Sequence, residues 1–204
     1  MAAASRLRAL RRDEVLFTAG SRANATYVVT RGTLRVFTTS ANGTEPTLAI
    51  LSPGDLVGEI GVLEDQPRAA SVAALRPSDV LEVPARAFRE AYDSDPAIAR
   101  RLVSLLAARM RALNDGFTDL SSLDLGGRLA KYLATEAERQ GTTVKLTLTQ
   151  AELGQLLGGA RQTVNQVLQS LERAGLVETR GRTVRVLDLD GLRRRGFSSR
   201  VSGT

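Results

Sequence analysis

Short runs of Val, Thr, Ile and Leu recur through the first 84 residues, each broken by a turn-forming residue. Residues 25–30, 33–39, 47–51, 71–75 and 78–83 show the partial apolar–polar alternation of half-buried strands. Asn42-Gly43 predicts a hairpin turn, because both residues accept positive φ. Pro53-Gly54-Asp55 and Arg76-Pro77 mark further turns, and Gly32, Gly58 and Gly61 stand at expected strand ends. Many short strands between regular turns predict a β-sandwich or a closed roll.

The period lengthens after Pro84. Pro96 suits the first turn of a helix, and the pattern it opens runs to about Leu123. Along it Leu102, Leu106, Met110, Leu113, Phe117 and Leu120 recur in steps of three and four, a single stripe about 27 Å long at roughly 1.5 Å per residue. Gly116 weakens the helix locally by roughly 1 kcal/mol against Ala. The bland alternative is a helix packed on its own domain. The narrow stripe with a polar remainder favours a self-associating seam, as in a parallel dimer.

Periodicity shortens again near the end. Thr149 followed by Glu152 is a capping box that opens a short helix with Leu153, Leu156 and Leu157 on its apolar face. Gly158-Gly159-Ala160 predicts a tight turn, and a second helix follows over residues 161–174. Val164, Val167, Leu168 and Leu171 form its buried face, and Gly175 ends it. Two short helices around a three-residue Gly turn have helix-turn-helix spacing. Residues 176–179 and 183–187 then flank Arg180-Gly181-Arg182 as a hairpin, completing a winged helix-turn-helix pattern.

Charge sharpens this division. The formal net charge is +6, and residues 1–124 hold 15 Arg against 15 acidic residues, so the excess lies wholly in residues 125–204. A neutral first part and a basic last part predict two domains with different partners, the basic one suited to nucleic acid. The bland reading is a general preference for Arg. The chain has no Cys and no His, which removes disulfides, thiolate and imidazole metal sites, and Ser–His or Cys nucleophiles. No apolar run reaches the roughly 18 residues of a membrane span. The Arg-rich start lacks the apolar core of a secretory signal. The expectation is a cytoplasmic protein with no membrane partner.

The exposed face of the second short helix carries Arg161, Gln162, Asn165, Gln166 and Gln169. Arg suits guanine edges and Asn or Gln suits adenine, and first-turn positions of such a helix enter the major groove. Lys145, Arg180, Arg182 and Arg185 suit phosphates, which position the domain without reading sequence. Thr149 joins the expected DNA-facing set. A merely solvated helix face is the alternative, although such a face ordinarily prefers Glu and Lys.

Three stretches together resemble the Crp/Fnr family of bacterial transcription regulators. The first comprises Gly32-Thr33-Leu34-Arg35-Val36, Pro53-Gly54-Asp55, Gly58-Glu59-Ile60-Gly61 and Pro67-Arg68-Ala69-Ala70-Ser71-Val72, similar to the cyclic-nucleotide-binding roll. The second is the long helix ending at Leu123-Asp124, followed by Gly127-Arg128-Leu129-Ala130. The third is Gly159-Ala160-Arg161-Gln162-Thr163-Val164, similar to the recognition-helix signature. The resemblance implies an α+β chain with an N-terminal antiparallel β-roll (jelly-roll-like) over residues 1–95. A dimerisation helix and hinge follow over 96–124, and a C-terminal winged helix-turn-helix over 125–204. It further implies a homodimer on palindromic double-stranded DNA, with the two recognition helices roughly 34 Å apart, and RNA polymerase as a partner.

The resemblance also nominates an effector site of Gly58, Glu59, Ile60, Arg68, Ala69, Arg109, Leu113 and Asn114. In cAMP-binding members the Gly-Glu pair meets the ribose, and Arg meets the cyclic phosphate with a Ser or Thr after it. Glu59 and Arg68 keep that chemistry, whereas Ala69 and Leu113 replace hydrogen-bonding residues. Asn114 keeps a polar group, and Arg109 stands at the position that meets Glu59 in the family. Two lost contacts at roughly 1 kcal/mol each weaken cAMP by about 30-fold. Three readings stay open: cAMP, another anionic effector, or no effector with Glu59, Arg68 and Arg109 as an internal charge cluster. No cofactor is required by any of them.

The recognition helix departs from the family as well, with Gln162 where Glu is frequent, Gln166 where Arg is frequent, and Ala160 at a frequent Ser cap. The expected operator therefore differs from the family's best-known palindrome. An activator controlled by its abundance and a signalling module with a protein partner are the competing functions. An enzyme is not expected, since Glu64-Asp65 has no partner pattern for carboxylate catalysis.

Overall fold

The computed structural model describes residues 5–197, which form two compact units divided between Ala108 and Arg109, inside the long helix.

The first unit contains eight strands: β1 (Arg6–Leu10), β2 (Val15–Phe17), β3 (Ala25–Arg31), β4 (Leu34–Phe37), β5 (Thr47–Leu51), β6 (Leu56–Val57), β7 (Ser71–Ala74) and β8 (Ser78–Pro84). They make two four-stranded sheets, ordered β1-β8-β3-β6 and β2-β7-β4-β5. Every pairing is antiparallel. Leu10, Tyr27, Val29 and Val80 of one sheet share a buried cluster with Leu16, Leu34, Leu51 and Val72 of the other. Period-two alternation therefore places one face of each sheet inside a roll, as expected.

A second cluster joins the helices of this unit to β8. Helices α1 (Glu59–Glu64) and α2 (Ala85–Ser94) and the first turns of α3 (Pro96–Ser122) gather Val62, Val83, Phe88 and Leu102. Leu105 and Leu106 pack against this group. Leu102, only 5% exposed, thus faces its own roll, and Leu106 is half-buried there. Leu102 is a correction to the expected seam, because a 3.6-residue stripe is the same whether it faces a partner or its own domain, whereas Leu106 keeps part of its surface open. Beyond this point the stripe is bare: Met110, Leu113, Phe117 and Leu120 are 65%, 60%, 76% and 59% exposed. The helix continues unbroken through Gly116.

Two further expectations change. Only Gly43 of the Asn42-Gly43 pair takes positive φ. The connection from β4 to β5 is a longer loop, in which Ser40 N donates to Thr44 O at 2.9 Å and Asn42 Oδ1 accepts from Thr44 N at 3.2 Å. Strands β1, β2 and β6 and helices α1 and α2 add to the predicted set, and the predicted strand over 33–39 contracts to β4.

The second unit holds the last turns of α3, then α4 (Leu125–Gln140), β9 (Thr143–Lys145), α5 (Gln150–Leu157), α6 (Arg161–Arg173), β10 (Val177–Arg180), β11 (Thr183–Val186) and α7 (Leu189–Phe197). The sheet order is β10-β11-β9, with both pairings antiparallel. Leu129, Leu133, Val144, Leu153, Val164, Val184 and Leu192 are essentially buried and supply its core. Val167, expected in that core, is half-buried, as are Leu156 and Leu157. Strand β9 and helix α7 add to the predicted elements.

Candidate nucleic-acid interface and effector site

Helix α5 starts on a complete capping box. Thr149 Oγ1 accepts from Glu152 N at 3.2 Å, and Glu152 Oε2 accepts from Thr149 N at 2.6 Å. Gly158 ends the helix in the left-handed region at φ 69°. Gly154 lets the turn fold back closely, since a Cβ there would stand 2.5 Å from Gly159 O. Ala160 precedes α6 with extended backbone and no side-chain cap, which costs about 1 kcal/mol against Ser. Val164, Leu168 and Leu171 bury the inner face of α6. That rotation leaves Arg161, Gln162, Asn165, Gln166 and Gln169 exposed together on the outer face.

The hairpin β10–β11 turns through Gly181 (φ 63°) and Arg182, with Arg180 paired directly to Thr183. Between the hairpin, α5 and α6 lies an open groove of about 570 Å³ whose lining includes Thr149, Gln150, Arg161, Asn165, Gln169 and Arg182. Gln150 Nε2 donates to Asn165 Oδ1 at 3.3 Å across it. The capping box marks Gln150 as the first residue of α5, but only the fold reveals that it faces Asn165.

The basic residues expected at phosphates differ in their freedom. Arg161 and Lys145 are exposed and make no ion pair among the described residues. Arg180 Nη2 lies 2.8 Å from Glu178 Oε1, and Arg185 Nε donates to Glu178 Oε2 at 2.8 Å. These two guanidiniums hold the Glu178 carboxyl below its ordinary value. Arg182 donates to Thr147 O at 2.6 Å and to Leu146 O at 3.3 Å, which ties the hairpin tip to the strand leading into α5. Sequence spacing places Glu178 beside Arg180 but does not show the tie from Arg182 to Leu146 and Thr147.

In the roll, α1 starts after Gly58, held at φ 81°. Glu59 is 1% exposed and Arg68 is 4% exposed. Arg68 Nη1 donates to Gly58 O at 2.7 Å, and Nη2 donates to Ala25 O at 2.6 Å. Its guanidinium lies 4.1 Å over the Phe17 ring and 5.7 Å from that of Tyr27, and these two rings stack on each other. A Cβ at Gly58 would stand 2.4 Å from Arg68 Nη1, so only glycine admits this arrangement. Burial lowers the Arg68 pKa, opposed by Tyr27 and the Glu59 carboxylate. The expected fork for a phosphate is thus spent on backbone carbonyls. Ile60 and Ala69 are exposed beside this centre, and Leu113 and Asn114 lie exposed on α3, with Arg109 half-buried on the same helix. No cluster of three or more potential metal ligands occurs among the described residues. Asp65 pairs with Arg89 at 2.7 Å.

Comparison with known proteins agrees with this geometry. Residues 7–95 match the cyclic nucleotide-binding domain, and residues 127–195 match the Crp-like helix-turn-helix domain. The chain belongs to the Crp/Fnr family. It is therefore a DNA-binding transcription regulator. A CRP-like cAMP-activated global transcriptional regulator of Mycobacterium tuberculosis is 30% identical over 190 residues, covering 90% of this chain and 85% of the relative. The cAMP-activated global transcriptional regulator CRP of Salmonella typhimurium is 31% identical over 171 residues, 81% of either chain. FixK2 from Bradyrhizobium japonicum shares the fold at a TM-score of 0.84 and 22% identity, over 98% of this chain and 99% of that one. The Mycobacterium tuberculosis and Salmonella typhimurium relatives are transcriptional regulators. Among the described residues, no helix is long and apolar enough to cross a membrane.

Proposed function

We propose that this regulator acts as a homodimer that reads a palindromic site on double-stranded DNA. The observation that carries the reading is the exposed Arg-and-amide face of α6 beside a groove bounded by the wing. Arg161, Gln162, Asn165, Gln166 and Gln169 meet base edges, while Lys145, Thr149, Arg180, Arg182 and Arg185 line the approaches to phosphate. Pairing runs along α3 through Met110, Leu113, Phe117 and Leu120. Burying such side chains stabilises association by about 25 cal/mol per Å² of apolar surface, which accounts for an otherwise wasteful exposed stripe. RNA polymerase is the further partner that the family leads one to expect.

A specific observation favours effector-free action, even though the named relatives are cAMP-activated. Arg68 has both terminal nitrogens on backbone carbonyls and lies over the Phe17 ring. Turning it towards a cyclic phosphate leaves the buried Ala25 carbonyl empty, at a cost of about 1–3 kcal/mol, and frees the part-buried Gly58 carbonyl. Ala69 supplies no compensating hydroxyl. Glu59 and Arg68 then serve the roll rather than a ligand.

Selection of bound sequences from random DNA at about 150 mM salt, with and without cAMP, tests both statements. The same palindrome in both pools is expected. A palindrome found only with cAMP refutes effector-free action. No enriched motif in either pool refutes the DNA-reading assignment and favours a protein partner for the last 80 residues.

A further inference from the structure

Helix α7 is capped by Asp188, whose Oδ1 accepts from Gly191 N at 2.8 Å, and it buries Gly191, Leu192 and Gly196. It lies so close along α4 that a Cβ at Gly196 would stand 2.8 Å from Lys131 N. This approach delivers two side chains to the turn between α3 and α4. Arg195 Nη2 donates to both carboxylate oxygens of Asp124, at 2.8 and 2.6 Å. Asp124 is itself the cap of α4, accepting from Gly127 N at 2.7 Å. The Phe197 ring centre lies 5.3 Å from Lys131 Nζ, which holds both carboxylate oxygens of Asp119, on α3, at 2.8 and 2.7 Å.

The opposite side of the same turn faces the helix-turn-helix. Arg128 Nε donates to Leu157 O at 2.8 Å and its Nη1 donates to Leu123 O at 2.6 Å, joining the end of α5 to the end of α3. A Cβ at Gly159 would stand 2.5 Å from Leu125 Cδ2. The turn at residues 123–125 is therefore held by α7 on one side and by the α5–α6 turn on the other.

We infer that α7 is a clasp fixing α6 relative to the end of α3, and that Arg195 and Lys131 are positioning residues that set the half-site spacing this regulator accepts. The inference rests on reading α3 as the seam and α6 as the base reader. A tilt at residues 123–125 moves α6 as a body without altering its surface. Loosening the clasp therefore relaxes spacing and spares recognition of a single half-site.

The test uses the full chain and duplexes carrying the selected half-sites at the native spacing or with one base pair inserted. The wild type prefers the native spacing, and Arg195→Gln combined with Lys131→Gln narrows that preference by about fivefold, or ~1 kcal/mol. Affinity for a single half-site stays the same, a separation that general unfolding does not produce. The charge-reversed pair D119K/K131D restores discrimination that K131D alone loses, and Arg195→Lys keeps most of it. An unchanged spacing preference in the double variant overturns the inference. If the wild type itself shows no preference for paired half-sites, the dimer reading fails and the spacing role falls with it, whereas a preference that survives unchanged in the double variant overturns the clasp alone.

Discussion

Arg68 in the roll and Arg161 on α6 are the same side chain put to opposite uses. Arg68 is 4% exposed, donates to two backbone carbonyls and covers an aromatic ring. Arg161 stands exposed in the first turn of α6 and makes no ion pair among the described residues. A guanidinium binds whatever acceptor its surroundings supply. Inside the roll, Gly58 and Ala25 supply carbonyls that would themselves be costly to leave empty. On α6 the Arg161 side chain is exposed in the first turn, where no ion pair holds it among the described residues. The two arginines thus differ in their surroundings: Arg68 is buried against backbone carbonyls, and Arg161 is exposed to solvent.

Substituting Arg68 breaks this comparison most severely. Arg68→Ala is expected to destabilise the full chain by about 3 kcal/mol in urea unfolding, through a cavity and two unpaired carbonyls. A loss below about 0.5 kcal/mol returns Arg68 to the status of a ligand-ready side chain. On the same logic, millimolar cAMP leaves the unfolding midpoint unmoved, whereas binding at a hundredfold excess over Kd adds about 2.7 kcal/mol.

Next in size is Phe117→Asp, which puts a charge on the bare part of the α3 stripe. We expect dimer dissociation to rise by at least tenfold, an effect of about 1.4 kcal/mol, in sedimentation equilibrium. A substitution at Leu102 instead unfolds the roll. Equal dimer loss from both, with the roll intact in each, removes the division of the stripe at Leu106.

Arg161→Ala tests the open site. Sequence discrimination should fall by about 1–3 kcal/mol at one base position while the unfolding midpoint stays put. An unaltered selected motif assigns Arg161 to phosphate or to solvent. Smaller again is Glu178→Gln, which releases Arg180 and Arg185: affinity should rise about twofold, with a steeper salt dependence. No rise means that the carboxylate already yields these arginines to DNA.

The smallest effect is a pH dependence of the wing. The hydroxyl and amide of Thr179 hold Glu172 below its ordinary value of 4.5, and Arg185 and Arg180 do the same for Glu178. Both groups have depressed folded values. Their stabilisation is complete above the unfolded carboxylate range and is lost as pH falls through the folded values. Amide protection at Thr179 should accordingly fall only below about pH 4, and protection lost at higher pH contradicts the assignment.

Much of the architecture was legible in local pattern. Strands β3, β4, β5, β7 and β8 announced themselves by β-branched alternation, and α5 and α6 by a capping box, a glycine turn and 3.6-residue spacing. Strand β1 escaped because it is an edge strand with Arg6 and Arg8 alternating with an outward Leu7, 72% exposed. Helix α7 was hidden by Arg193-Arg194-Arg195, which looks like solvated charge until Arg195 meets Asp124 and Arg193 meets Glu138 at 2.8 Å. Asn42 misled because Gly43 alone supplied the positive φ that the loop needed.

The sequence by itself determined the class of protein. A strand-rich neutral segment, a long apolar-striped helix, a basic helix-turn-helix and the absence of Cys and His are statements about composition and short-range spacing. What it left undecided were questions of which group answers which. Arg68 could face a phosphate or a carbonyl, Leu102 a partner or its own roll, and Arg180 a nucleic acid or Glu178. Tertiary structure supplies the surroundings that spacing omits: Ala25 lies 43 residues from the Arg68 it accepts from, and Val62 lies 40 residues from the Leu102 it packs with. Their proximity is set by packing and cannot be read from spacing.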